Sequence, residues 1–254
     1  MEFFVEKGSV VREIWGKGDT ILFIFAGASA EFALNKAVDW LYFTGRLPAD
    51  PVGRLFSTVS YAGEIVFSEK IAALNAIDKI TSIHKEVETA RGATIPDWAY
   101  RDVLFMLIYY SIASYELLER KLSATEKDEV YEVFYRIGMR MNLKDLPENY
   151  KEWLPVRNQH LEDDLQKTKY TIDLYKQYKK HLGIVRYYLL RQSQSLIVPP
   201  KVISLLELSK SSPLKIAIPV YKLSRRLHLH KLLKSLILPS AYKAQIKSLD
   251  RFSS

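Results

Sequence analysis

The stretch DWAYRDVLFMLIYYSIASYELLER, residues 97–120, decides the fold class. It opens on a Pro96-Asp97 step, a common helix start, and carries few polar side chains until its far end. A helix so apolar around its circumference needs neighbours on nearly every side, so its place is the centre of a helical domain.

The flanking sequence supplies those neighbours. Residues 19–43 read as one helix ending before Gly45 and Pro48, and its run ILFIFAGASA at 21–30 is the longest apolar stretch. That run falls well short of the roughly 20 residues a membrane-spanning helix needs and reads as buried core. Asp50-Pro51 starts a helix to about Val66, and Ser68 is expected to cap the next, which carries Leu74, Ile77, Ile80, His84 and Val87 on one face and stops near Gly92. Ser123 and Glu126 form a capping box before a helix with Val130, Phe134, Ile137 and Met141 inward. Pro147 and Pro155 mark boundaries or kinks, and residues 163–181 read as an amphipathic, tyrosine-rich helix. Alternating strand patterns are scarce and no Asn-Gly or Asp-Gly hairpin turn occurs. The expectation is a single all-α domain of about ten helices over residues 1–200, followed by a basic helical tail over 201–254, docked on the domain or facing a membrane.

Charge divides the chain at the same point. Residues 201–254 hold 11 lysines and arginines against Glu207 and Asp250, a local +9, which leaves −1 on residues 1–200 of a chain whose net charge is +8. The basicity belongs to the tail. The absence of cysteine excludes thiolate metal sites, iron–sulfur clusters, disulfides and cysteine nucleophiles. No Gly-rich phosphate loop, G-x-S-x-G or H-E-x-x-H motif occurs, so conventional nucleotide and hydrolase motifs are absent as well. The opening MEFFVEKGSVVREIW lacks a basic segment followed by a long apolar run, and an intracellular, cytoplasmic protein is expected.

Three constellations carry chemistry. His84 lies in line with Ile77, Ile80 and Val87. A neutral imidazole on a stiff helix in an apolar setting is either a core histidine satisfied by a backbone carbonyl or a ligand for a metal or haem iron. Residue i+4 is Glu88, on a neighbouring angle, so zinc is disfavoured. In DPVGRLFSTVSYAGEIVF, Arg54, Ser57, Thr58 and Tyr61 share one face at i, i+3, i+4 and i+7. This is either a solvated surface or a polar patch in a pocket, suited to bound oxygen, a carboxylate or a propionate. In the tail, Val220, Leu223, Leu227, Leu232, Leu233 and Leu236 form an apolar stripe beside Lys222, Arg225, Arg226, Lys231 and Lys234. Residues 219–238 thus suit an anionic membrane surface or a docked helix with solvated lysines, and nucleic acid is not expected because no stacking platform accompanies the charge. His228 and His230, at i and i+2, face apart, and His160 has acids nearby but no clear partner.

The segments SVVREIWGKGDTILFIFAGASAEFAL, DPVGRLFSTVSYAGEIVFSEKIAAL, ITSIHKEV and YELLERKLSATEKDEVYEVFYRIGMRMNLKDLPENYKEW, spread over residues 9–155, resemble the latex-clearing-protein rubber oxygenases and the fungal endoplasmic-reticulum-bound MpaB oxygenases. The resemblance implies an all-helical b-type haem protein that uses dioxygen on hydrophobic, isoprenoid- or lipid-like substrates. It gives His84 the place of the proximal iron ligand in a histidine-plus-valine motif. Arg54 and Thr58 match an Arg-x-x-x-Thr element that approaches the haem pocket, and Ser57 and Tyr61 lie on the same face. A lysine that relatives carry three residues after the arginine is Ser57 here, and the arginine four residues after the histidine is Glu88, with Arg91 one turn on. The His-Pro and Trp-x-His elements of many relatives are replaced by FALNKAV and DVLFMLIYY. The expected activity is that of a haem b-dependent oxidoreductase or oxygenase, peripheral to a membrane. Its rival is a non-catalytic haem-carrying or membrane-associated protein that has kept the oxygenase fold.

Overall fold

Short polar side chains cap five of the helix starts. The structure, a computed structural model, describes residues 2–45 and 49–226. Ser9 caps α1 (Val10–Trp15) by accepting from Val11 N, and α2 follows at Gly18–Phe32 and α3 at Val38–Phe43. Asp50 accepts from Gly53 N to start α4 (Pro51–Phe67), with Pro51 at a position whose N–H would be unpaired in any case. Helix α5 (Lys70–Arg91) ends at Gly92, whose φ of 68° lies in the left-handed region that glycine reaches without a Cβ clash. The apolar segment forms α6 (Asp97–Leu118), and Ser123 and Glu126 close both halves of the capping box on α7 (Ala124–Arg140). Asn149 caps α8 (Tyr150–Asp163), Thr168 caps α9 (Lys169–Ile197), and α10 (Pro200–Leu206) and α11 (Leu214–Arg226) complete the described chain.

The fold is all-α, and among the described residues β-type pairing is limited to isolated bridges at Phe3/Glu69 and Asn35/Leu165. Helix α6 is central: Phe105, Ile108, Tyr110 and Ser111 are fully buried, and α2 packs along it. The approach is close enough that a Cβ at Gly27 would stand 2.2 Å from Cδ1 of Tyr110, so that position in α2 has room only for glycine. No helix among the described residues is long and apolar enough to cross a membrane.

Three local expectations are corrected, and an open one is narrowed. The single helix over 19–43 is broken at residues 33–37, because Leu34 and Lys36 pair with Gln166 and Asp164 of a distant loop while the Asn35 side chain bonds Ala37 N and Asp102. Ser68 ends α4 instead of capping α5, whose N-cap residue is Glu69. Of the two alternatives open for Pro155, a boundary or a kink, the boundary does not occur, because the residue lies inside α8. The tyrosine-rich helix starts at Lys169, not 163, and continues to Ile197 across a bend at Gly183. In the tail, α11 is tied to the domain where Tyr221 donates to Asp19 and Lys222 to the Glu119 carbonyl. The rest of the proposed apolar stripe, from Leu227 onwards, together with His228, His230, Lys231 and Lys234, lies outside the described residues.

Candidate functional site

Helices α2, α4, α5, α6 and α7 line a cavity of about 330 Å³. Its wall is largely apolar: Phe25 and Phe32 come from α2, Ile65 and Val66 from α4, Leu104 and Met106 from α6, and Phe134 and Ile137 from α7. Trp40 and Leu41 of α3 and Tyr178 of α9 complete it. The volume falls at the lower end of the roughly 300–1,000 Å³ usual for small-molecule and cofactor sites.

The polar residues singled out in the sequence enter this wall from two helices. From α4, Arg54, Ser57, Thr58 and Tyr61 all line the cavity, as their shared face requires. Ser57 Oγ donates to the Arg54 carbonyl at 2.7 Å and Thr58 Oγ1 to the same oxygen at 3.3 Å, so both hydroxyl protons turn back onto their own helix. The Thr58 proton is therefore directed to backbone, and the lone pairs of both oxygens remain as acceptors. Lys79 of α5 lies over the Tyr61 ring, 5.9 Å from its centroid.

From α5, Ile80, Ile83 and His84 face the cavity. The Nδ1 of His84 is buried and has no hydrogen-bond partner among the described residues. Leaving such a group unsatisfied costs about 1–3 kcal/mol, so the polypeptide by itself makes poor use of this imidazole. Burial, then the positive charge of Arg54, push its pKa down to about 4, against a smaller opposite pull from Glu88. At neutral pH the ring is uncharged, the form that can ligate a metal.

The neighbours of His84 are organised by Glu88. Its carboxylate accepts from Ile95 N at 2.9 Å and from the Tyr100 hydroxyl at 3.2 Å, which ties the turn after α5 to the start of α6. Tyr100 in turn stands edge-on to His84, with ring centroids 5.1 Å apart. Arg91, one turn on, points away from His84: it pairs with Asp39 at 2.7 Å and lies over the Trp40 ring, 4.0 Å from its centroid. It thereby pins α3, and with it a wall of the cavity.

His160, left without a partner by the sequence, has one in Asp102, 58 residues earlier, with Nδ1 2.5 Å from Oδ1. Asp164, at i+4 from His160, lies 3.8 Å from the same nitrogen. The i, i+4 spacing was the only signal available, since Asp102 arrives from another helix. These residues do not line the cavity described above.

The residues around His84 fit a haem by their chemistry: a neutral, unsatisfied imidazole, a mostly apolar surround, and one guanidinium near the ring to meet a carboxylate. No curated protein and no solved structure matches the chain. The family described as ER-bound oxygenase mpaB/B′/rubber oxygenase, catalytic domain, matches residues 15–227. That span includes α2 to α11 and every polar residue of the cavity, and the chain belongs to this oxygenase family.

Proposed function

We propose that the protein is a haem b-dependent oxygenase acting on a hydrophobic, isoprenoid- or lipid-like molecule with dioxygen. The observation that carries the reading is the unsatisfied Nδ1 of His84 in the wall of an apolar cavity shared with Arg54. Haem b would supply a redox-active iron at which dioxygen binds and is activated. His84 would hold the iron, its depressed pKa keeping a lone pair available well below neutrality.

Arg54 would meet negative charge, either a propionate or charge developing on oxygen, with a fork of donors that stays protonated throughout. Thr58 and Ser57 act as acceptors, because their protons are committed to the Arg54 carbonyl. Tyr61 adds a hydroxyl at the same face. The apolar wall admits an apolar substrate and excludes the water that would compete at the reacting centre.

Membrane proximity enters through α11. Tyr221 and Lys222 face the domain, whereas Ile216 and Val220, at i and i+4, are 81% and 67% exposed. An apolar face of this kind at the head of the basic segment 219–238 suits an anionic membrane surface on which the protein is peripheral.

Oxygen uptake by haem-loaded protein tests the enzyme reading, with a panel of isoprenoids and unsaturated lipids as substrates. Substrate-dependent uptake that is lost in Arg54→Ala is the expected result. A haem-bound protein that consumes no oxygen with any of them would instead be a carrier that has kept the oxygenase fold.

A further inference from the structure

We propose that Asp102, His160 and Asp164 form a second site, separate from the cavity, that binds a divalent first-row metal ion such as zinc or manganese. Asp102 comes from the buried second turn of α6 and His160 and Asp164 from the C-terminal end and cap of α8, and their ligand atoms all lie within 4.8 Å of one another. An imidazole with two carboxylates is a donor set that borderline and moderately hard divalent ions accept.

Two features separate this cluster from an ordinary ion pair. The first is orientation: Asn35 donates from Nδ2 to Asp102 Oδ2, while its own Oδ1 accepts from Ala37 N. The amide is thus fixed, and the other oxygen of Asp102, Oδ1, faces His160, the outer-sphere arrangement that typically orients metal ligands. The second is an open valence. The Asp164 carboxylate has no hydrogen bond among the described residues, only the 3.8 Å approach to His160. The adjacent Lys36 ammonium donates to the Asp163 carbonyl. A divalent ion held by these three side chains would join α6, α8 and the Asn35 turn that leads to Trp40 and Leu41 of the cavity.

The competing arrangement is His160 hydrogen-bonded to Asp102 with no metal. Full-length, tag-free, haem-free protein, stripped with a chelator and titrated with zinc against a chromophoric competitor, separates the two. Wild type is expected to take up one equivalent with a rise in Tm that chelator reverses. Asp164→Asn, at a partly exposed position, and His160→Gln are each expected to weaken uptake about tenfold or more, and His84→Ala to leave it unchanged. The assay needs no haem, so its failure would not bear on the oxygenase reading. No saturable uptake by folded wild type, or uptake that the Asp164 and His160 variants leave intact, would overturn the proposal.

Discussion

Tyr100 meets His84 edge-on with 5.1 Å between ring centroids, and the hydroxyl of that tyrosine is held 3.2 Å from Glu88, one helical turn beyond the histidine. The residue that departs from the family arginine is therefore a structural member of the histidine's surroundings. It fixes the ring that packs on His84 and the backbone that leads into α6.

Removing Glu88 should loosen that arrangement. Glu88→Ala leaves Ile95 N and the Tyr100 hydroxyl without an acceptor and is expected to cost about 1–3 kcal/mol in urea unfolding, whereas Glu88→Gln, which keeps an acceptor oxygen, costs less. Equal losses for the two variants would show that the hydrogen bonds are not the source.

The charges flanking His84 should be visible in its titration. Arg54 lowers and Glu88 raises its pKa, so Arg54→Ala moves the titration of labelled His84 upward from about 4 and Glu88→Gln moves it further down. Shifts of the opposite sign, read by NMR on haem-free protein, would contradict the placement of either side chain.

His84 also couples stability to pH. Its folded pKa lies near 4 and its ordinary value at 6.5, so the folded state binds the proton less tightly than the unfolded chain. The associated stability is present above pH 6.5 and is lost as pH falls towards 4, by about 3 kcal/mol over that window. Haem-free His84→Leu lacks this loss, so the stability difference between variant and wild type should change across the window by that order. Parallel pH profiles for the two proteins would refute it.

A buried ion pair offers an independent test of the core. Arg157 and Glu31 are 3% and 1% exposed, pair directly, and share Tyr110, whose hydroxyl donates to Glu31 at 2.9 Å. Arg157→Met strands the carboxylate and is expected to cost about 3–5 kcal/mol, and adding Glu31→Leu should recover much of it. Denaturant midpoints of the single and double variants decide the matter, and a double variant no better than the single would count against a stranded charge.

Helix starts were legible because caps are local: Asp50, Ser123 and Pro96 announce their helices within three or four residues. The break at residues 33–37 was not, because it depends on pairing with residues 164–166, which no window around Asn35 contains. Ser68 and Glu69 show a similar limit, since a serine suited to begin one helix can equally end the one before it. At the site, periodicity brought Arg54, Ser57, Thr58 and Tyr61 to one face of α4 and His84 to the inner face of α5. It had no means of showing that both faces meet a common cavity. Nor did it indicate that Ser57 and Thr58 spend their protons on Arg54, or that Arg91 leaves His84 for Trp40. The Asp102 partner of His160 was hidden for the same reason as the helix break, being distant in sequence.

The absorption spectrum of the protein with and without His84 tests the central claim most directly. Wild type produced with a haem precursor, or reconstituted with haem, is predicted to show a Soret band at one haem per chain, and His84→Ala to lose that band while retaining the helical circular dichroism of the parent. A folded wild type that stays colourless after reconstitution, or a His84→Ala variant with an unchanged Soret band, would contradict it.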